Sequence, residues 1–273
     1  MPELPEVETI ARGLDQRVRG DVIESVWLGS KKEPLKSPAA EIVQTLEHQQ
    51  IAGVRRVGKH IVVDLEPARK RAKSGPHAQW IVHLGMTGRM QVCSPETEIA
   101  KHTHAIARLA SGRELRFVDP RRFGRLSVTR DFAAPGSEPL QLAREKFVDL
   151  FRGRKTPIKS ALLNQSLMSG VGNIYADESL FRAGIRPRRR ATTISRQKLG
   201  ALFVAVQEVL REAIALGGSS ISDYVDADGQ AGFFQLQHRV YGRESQPCLK
   251  CKTPIKRVVI AGRSSHYCPH CQK

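Results

Sequence analysis

Apolar and polar residues alternate along much of the first 130 positions. The segments KHIVVDLE (59–66), QWIVHLGM (79–86), HAIARLA (104–110) and ELRFVD (114–119) are short and rich in Val, Ile and Leu. Turn-forming residues separate them, which is the pattern of β-strands. A helix is expected before them in PEVETIARGLDQRV (5–18), with Pro5 in its first turn and Glu6 and Glu8 at the positive end of its dipole. Residues 67–79, PARKRAKSGPHAQ, are polar and basic and read as a surface loop between two strands. Past residue 140 the apolar period lengthens, and 140–151, 158–167, 173–183 and 196–216 read as helices. Ser195 suits the N-cap of the last, and Gly217-Gly218 its end. The tail carries short β-prone pieces between two pairs of cysteines, and no internal repeat is evident. The pattern predicts an α+β protein with a β-rich domain (1–130), a linker rich in Pro, Gly, Ser and Ala (131–139), a helical domain (140–238) and a cysteine-bearing module (239–273).

Composition narrows the class. Of the 273 residues, 40% are hydrophobic and 26% charged, which describes a globular chain rather than a disordered one. No uninterrupted apolar run approaches the ~18–20 residues that span a bilayer. The richest stretch, 199–216, is broken by Gln207, Glu208, Arg211 and Glu212. The opening MPELPEVE is acidic and has no apolar centre, so it does not read as a secretory signal, and a cytoplasmic protein is expected. The 44 Lys and Arg against 27 Asp and Glu leave a net charge of +17, which points to an anionic partner such as nucleic acid. That charge is lopsided: residues 146–190 carry ten basic and three acidic side chains, and 239–273 carry eight and one. Each segment nets +7, so two solvated runs in one half of the chain read better as a binding surface.

Four of the five cysteines form CLKC (248–251) and CPHC (268–271). Two such knuckles match a tetrahedral zinc ribbon, each presenting two thiolates from a tight turn. Two disulfides would use the same residues, but the absence of a signal sequence argues for a reducing compartment. Cys248, Cys251, Cys268 and Cys271 are therefore expected to hold one structural zinc. Four thiolates leave no open coordination position, and His266 and His270 are not needed as ligands. Lys252, Lys256, Arg257 and Arg263, in the hairpin between the knuckles, are suited to a phosphate backbone. Cys93 is expected in or near a core.

Together these blocks carry a resemblance. MPELPEVETIARGL, RRVGK (55–59), HLGMTG (83–88), KHTH (101–104), DPRRFG (119–124), GVGNIYADESLFRAGI (170–185), VYGR (240–243) and the cysteine ribbon occur in the order found in the formamidopyrimidine-DNA glycosylases. The resemblance covers nearly the whole chain. It implies a two-sheet β-sandwich with a leading helix, a helix–two-turns–helix domain and a zinc-ribbon hairpin. It also implies a monomer that acts on double-stranded DNA containing an oxidised purine, excising the base and nicking the strand by β,δ-elimination.

The resemblance assigns roles residue by residue. Pro at position 2 makes Met1 removable and leaves a secondary amine; an α-amine titrates near ~8, so part of it is an uncharged nucleophile at neutral pH. Pro2 would attack the sugar C1′ and form a Schiff base, with Glu3 exchanging protons at the sugar or the leaving base. Lys59 would bind phosphate and assist β-elimination, Arg263 would hold the lesion phosphates and act in the final elimination, and Glu6 would lie near the sugar. Once the base leaves the stack, Met86, Arg121 and Phe123 would fill the hole. Met86 and Phe123 are core-type residues by composition, while their GMTG and RRFG settings suit exposed tips. His102, Arg154, Lys159 and Asn173 match positions that touch the DNA backbone. Residues 219–237 resemble a loop that closes over oxidised purines. Two departures from the family pattern are a longer basic loop at 67–78 and a shorter segment at 131–150. A pyrimidine-lesion enzyme of the same superfamily, and a zinc-ribbon DNA-binding protein without catalysis, are the competing readings.

Overall fold

A computed structural model describes residues 1–68, 78–220 and 232–273. The centre of the basic loop and most of the segment read as a closing loop lie outside the described residues. Two compact units divide between Ala134 and Pro135, with Ser219, Ser220 and Gly232 belonging to the first.

The first unit opens with helix α1 (Leu4–Val18), whose Val7, Ile10, Ala11, Leu14 and Val18 recur at helical spacing on one buried face. Strands β1 (Ile23–Leu28), β6 (Thr103–Leu109), β7 (Glu114–Val118) and β5 (Arg89–Cys93) form one antiparallel sheet in that order. Strands β2 (Gln49–Val57), β3 (His60–Pro67), β4 (Ala78–His83) and β8 (Arg125–Thr129) form the other. Helix α2 (Ala39–Leu46) adds Ile42 and Leu46 to the core. One apolar cluster joins the two sheets and both helices, with Val63 and Trp80 from one sheet and Leu115 and Phe117 from the other. Along β3, Ile61, Val63 and Leu65 enter it at the two-residue period of a strand.

The four strands read from the sequence are the inner pair of each sheet, β3 and β4, β6 and β7. The sequence reading missed β1, β2, β5, β8 and α2. Each missed strand lies at a sheet edge with one strand neighbour in its sheet, so its outer residues need not be apolar. In β2, Arg55 and Arg56 mask the alternation, and the register shifts between Ile51 and Gly53.

The second unit holds α3 (Arg144–Phe151), α4 (Ile158–Leu163), α5 (Asn173–Arg182), α6 (Arg196–Ala215) and the hairpin β9 (Lys256–Ile260) with β10 (Arg263–Tyr267). The Ser195 side chain accepts the Lys198 amide, as its N-cap reading requires. Gly217 and Gly218 leave the helix at positive φ. Helix α4 ends before the expected residue 167 because the Asn164 side chain accepts the Ser166 amide and turns the chain away. The two turns from α4 to α5 are stapled by Gln165. Its amide nitrogen donates to the Leu163 and Val171 carbonyls, and its oxygen accepts the Gly170 amide. Among the described residues, no helix is long and apolar enough to cross a membrane.

Candidate active site and metal centre

The start of α1 is held by its own acidic residues. Glu3 is the N-cap and closes a capping box with Glu6: the Glu3 amide donates to Glu6 Oε2 at 2.7 Å, and the Glu3 side chain accepts in return. Glu6 Oε1 accepts the Ser219 amide at 2.8 Å. Glu3 and Glu6 are buried, Pro2 is partly exposed, and Met1 is exposed. The backbone at position 2 thus leads into a fixed helix end, with the preceding residue open to removal.

Lys59 occupies a two-residue hairpin loop, since Val57 pairs with His60 across it. Gly58, at φ 60°, takes the position where such loops require a left-handed residue. The Arg56 guanidinium donates to the Gly58 carbonyl and to Glu8 of α1, at 3.1 and 2.8 Å. That bridge ties the lysine loop to the helix; the sequence reading did not single out Arg56. Beside it, the His60 ring lies 4.9 Å from those of His83 and Phe132. Burial, then the neighbouring His60, Arg125 and Lys59, hold the His83 imidazole down at about 4. The neutral His83 ring accepts the Gly85 amide at Nδ1.

Gly85 opens the loop that carries Met86. At φ 64° a side chain here would be strained, and its Cβ would fall 2.5 Å from the Phe123 carbonyl carbon. The Met86 and Phe123 loops therefore touch backbone to backbone. Met86 is 45% exposed and Phe123 52%, which resolves their character: they are surface tips, not core. The Arg121 guanidinium carbon sits 4.8 Å from the centre of the Phe123 ring. His102 is exposed at the entrance to β6, and its carbonyl accepts the Asp119 amide. The structure thus brings Met86, Arg121, Phe123 and His102 onto adjoining loops.

In the second unit the residue matched to the family arginine, Arg263, is exposed at the exit of the β9–β10 turn. The turn residues Ala261 and Gly262 both have positive φ, as a type I′ hairpin needs. Its neighbour Ser264 is gripped from both helices: Lys159 Nζ donates to the Ser264 carbonyl at 2.6 Å, and the Asn173 amide donates to its hydroxyl at 3.3 Å. Lys159 also pairs with Asp177 at 2.7 Å, and Asp177 accepts the His266 amide. This corrects one expectation. Lys159 is wholly buried, so its ammonium anchors the hairpin instead of reaching a DNA phosphate. Asn173 begins α5 and is partly exposed, while Arg154 is exposed just after α3. The sequence reading missed Asp177 and Gln165, because nothing in their local setting marks an interior polar contact.

The four knuckle cysteines meet as read. Their sulfurs all lie within 4.8 Å of one another, with Cys248 to Cys271 at 3.9 Å and Cys251 to Cys268 at 3.5 Å. These separations exclude disulfides, whose sulfurs lie ~2 Å apart. They fit the edges of a tetrahedron about zinc, since Zn–S bonds of ~2.3 Å place sulfurs roughly 3.8 Å apart. The Thr253 hydroxyl and amide draw the Cys251 thiol down to about 6, while burial and the other thiols push Cys271 up to about 12. A dication favours the ionised form of all four, so the donor set suits a structural zinc. The Gln272 side chain accepts the Cys268 amide and donates to the Ile185 carbonyl, tying the second knuckle to the chain beyond α5. His266 bonds Asp177 and is not a ligand.

Three family models match. The formamidopyrimidine-DNA glycosylase N-terminal domain matches residues 1–126, the H2TH domain of the same enzymes 135–225, and the zinc finger found in FPG and IleRS 245–273. Formamidopyrimidine-DNA glycosylases of Solibacter usitatus and Gluconobacter oxydans are 45% and 42% identical, with full coverage of both chains in each comparison. The crystal structure of the MutM (FPG) protein from Thermus thermophilus has a TM-score of 0.86 at 40% identity, covering 99% of this chain and 98% of that one. A Lactococcus lactis Fpg bound to DNA containing an abasic site has a TM-score of 0.89 at 30% identity, covering 99% of both chains. With its two antiparallel sheets, its helical turns and its four-cysteine hairpin all matched, the chain belongs to the formamidopyrimidine-DNA glycosylase family.

Proposed function

We propose that this glycosylase excises oxidised purines from double-stranded DNA and then cleaves the strand, using the Pro2 nitrogen once Met1 is removed. The observation that carries the proposal is the locked start of α1. Glu3 and Glu6 hold the backbone at residue 3 by two reciprocal hydrogen bonds, so an amine at residue 2 is oriented before substrate arrives. Attack by the neutral amine on C1′ breaks the bond to the base, which leaves with a proton. Opening of the C1′–O4′ bond then yields an iminium, and Glu3 is the neighbouring carboxyl for these proton transfers. The iminium acidifies C2′, so loss of that proton expels the 3′ phosphate and a second elimination expels the 5′ phosphate. Lys59, on its fixed hairpin loop, and the exposed Arg263 supply cations for those phosphates.

Met86, Arg121 and Phe123 are exposed on adjoining loops, which supports their role as the residues that occupy the stack after the base is extruded. His102, Arg154 and Asn173 belong with the phosphate contacts. Duplex DNA as partner is further supported by Lactococcus lactis Fpg structures with Fapy-dG DNA and with abasic DNA. Borohydride trapping on a duplex carrying 8-oxoguanine tests the chemistry. A covalent adduct is expected from processed protein and not from a Pro2→Gly variant; no adduct from processed protein overturns the Pro2 assignment. Faster excision of thymine glycol than of 8-oxoguanine would instead assign the chain to pyrimidine lesions.

A further inference from the structure

Of the DPRRFG motif, the proposed function uses Arg121 and Phe123 and leaves Asp119 without a task. Asp119 is completely buried, and among the described residues no cation pairs with it. A carboxylate so placed is costly unless donors satisfy it. Here the donors come from both tip-bearing loops. Thr87, the residue after Met86, donates its hydroxyl to Oδ1 at 2.5 Å. The Arg121 amide donates to the same oxygen at 3.2 Å, and the Gly124 amide donates to Oδ2 at 2.7 Å. The last two bracket Phe123. The Asp119 backbone reaches further: its amide donates to the His102 carbonyl, and its carbonyl accepts the Arg122 amide and lies 2.9 Å from His104 Nε2.

The structure assigns Asp119 as the positioning residue that locks the Met86, Arg121 and Phe123 tips into one preset wedge for base extrusion. This rests on the reading of those three as hole-filling residues. The physical case is the single carboxylate shared between loops. Exposed side chains on separately mobile loops would each have to be ordered when they enter the stack, and that ordering opposes insertion. Charge-assisted bonds to one buried anion, with Gly85 letting the loop backbones touch, order them beforehand. Gly124 shows the same crowding, since a Cβ there would lie 2.5 Å from Phe117 and 3.1 Å from Asp119 Oδ2. Asp119 need not touch DNA; it acts through the loops.

The test compares two reactions of the same variants. Asp119→Asn keeps the shape but turns an amide donor toward an N–H donor. Thr87→Val removes only the hydroxyl and, being the milder change, keeps the test open should Asp119→Asn unfold. On a duplex with 8-oxoguanine, single-turnover excision should fall about ten- to a hundredfold for Asp119→Asn and several-fold for Thr87→Val. On a duplex with a preformed abasic site there is no base to unstack, and nicking should change by less than about threefold. A 2-aminopurine beside the lesion should brighten more slowly in both variants. Equal losses in the two reactions, or no loss in either, overturn the positioning role. Phe123→Ala and Met86→Ala separate this from the parent reading. If they leave excision intact, the wedge itself falls and the Asp119 proposal with it. If they impair excision while Asp119→Asn does not, only the Asp119 proposal falls.

Discussion

Glu6 joins two stretches of the first unit that lie 213 positions apart: one carboxylate oxygen accepts the amide of Glu3, the other the amide of Ser219. Ser219 begins the segment that resembles the family's closing loop. Glu6→Gln offers one acceptor oxygen and a nitrogen that cannot accept, so one of the two buried amides loses its partner. A loss of about 1–3 kcal/mol is expected in urea unfolding. Excision should fall with it if Pro2 is the nucleophile as proposed, because the helix start at Glu3 loosens. Unchanged stability and activity would show that neither amide depends on this carboxylate.

Acid should weaken the first unit through His83. Burial, aided by nearby His60, Arg125 and Lys59, depresses its folded-state value to about 4, from an unfolded value of 6.5. The unfolded chain therefore binds a proton that the folded chain refuses. The contribution of neutral His83 is complete above 6.5 and is lost as pH falls from there towards 4. The loss is on the order of 3 kcal/mol. His83→Asn keeps an acceptor for the Gly85 amide and does not titrate. Melting temperatures between pH 7 and 4 should accordingly fall less steeply in this variant. His238, also held near 4 by burial, will still contribute its own slope.

The boundary between what could and could not be read in the sequence follows burial. Central strands such as β3 show their pattern because both neighbours demand it, whereas an edge strand such as β2 carries Arg55 and Arg56 and looks like loop. Among site residues, the cysteines and the tips were legible because short motifs hold them. The polar staples were not: Arg56, Asp119, Gln165 and Asp177 each take their meaning from partners that only the folded chain brings to them. Lys159 was misread for the same reason. A lysine carries no local sign of whether its ammonium faces solvent or a buried aspartate such as Asp177.

The cysteine site predicts a stoichiometry. One zinc per chain should be released with four thiols, while Cys93 stands apart from the cluster. With metal bound, a thiol reagent should therefore react with no more than one cysteine, and with all five after chelation. Losing the metal should expose the amides of β9 and β10 to hydrogen exchange, because Cys248 and Cys268 form the small core under that hairpin together with Phe181, Val240 and Ile255. Retained protection without zinc would show that the apolar cluster alone holds the hairpin.

Ala261 sits at φ 48°, a left-handed conformation that costs a residue with a Cβ ~1–2 kcal/mol. The turn leads directly into Arg263. Ala261→Asn gives the Asn-Gly pair that type I′ turns favour and should stabilise the second unit by roughly 0.5–1 kcal/mol. Thermal unfolding with zinc bound is the measurement, and a lowered melting temperature would contradict the turn assignment.

Arg154 and Lys159 are both cations five positions apart, and their burial predicts opposite behaviour on DNA. Arg154 is exposed, so if it pairs with a phosphate, Arg154→Ala should weaken binding evenly across sequences. The slope of log affinity against log salt should then shrink by about 0.9. Lys159 spends its charge on Asp177 and the Ser264 carbonyl in the interior. Lys159→Met should leave that slope unchanged while costing about 3–5 kcal/mol of stability, because Asp177 stays buried without its cation. Converting Asp177 to Asn in the same chain should recover part of the loss. A salt slope that shrinks by about one in Lys159→Met, with stability intact, would mean the ammonium faces phosphate after all.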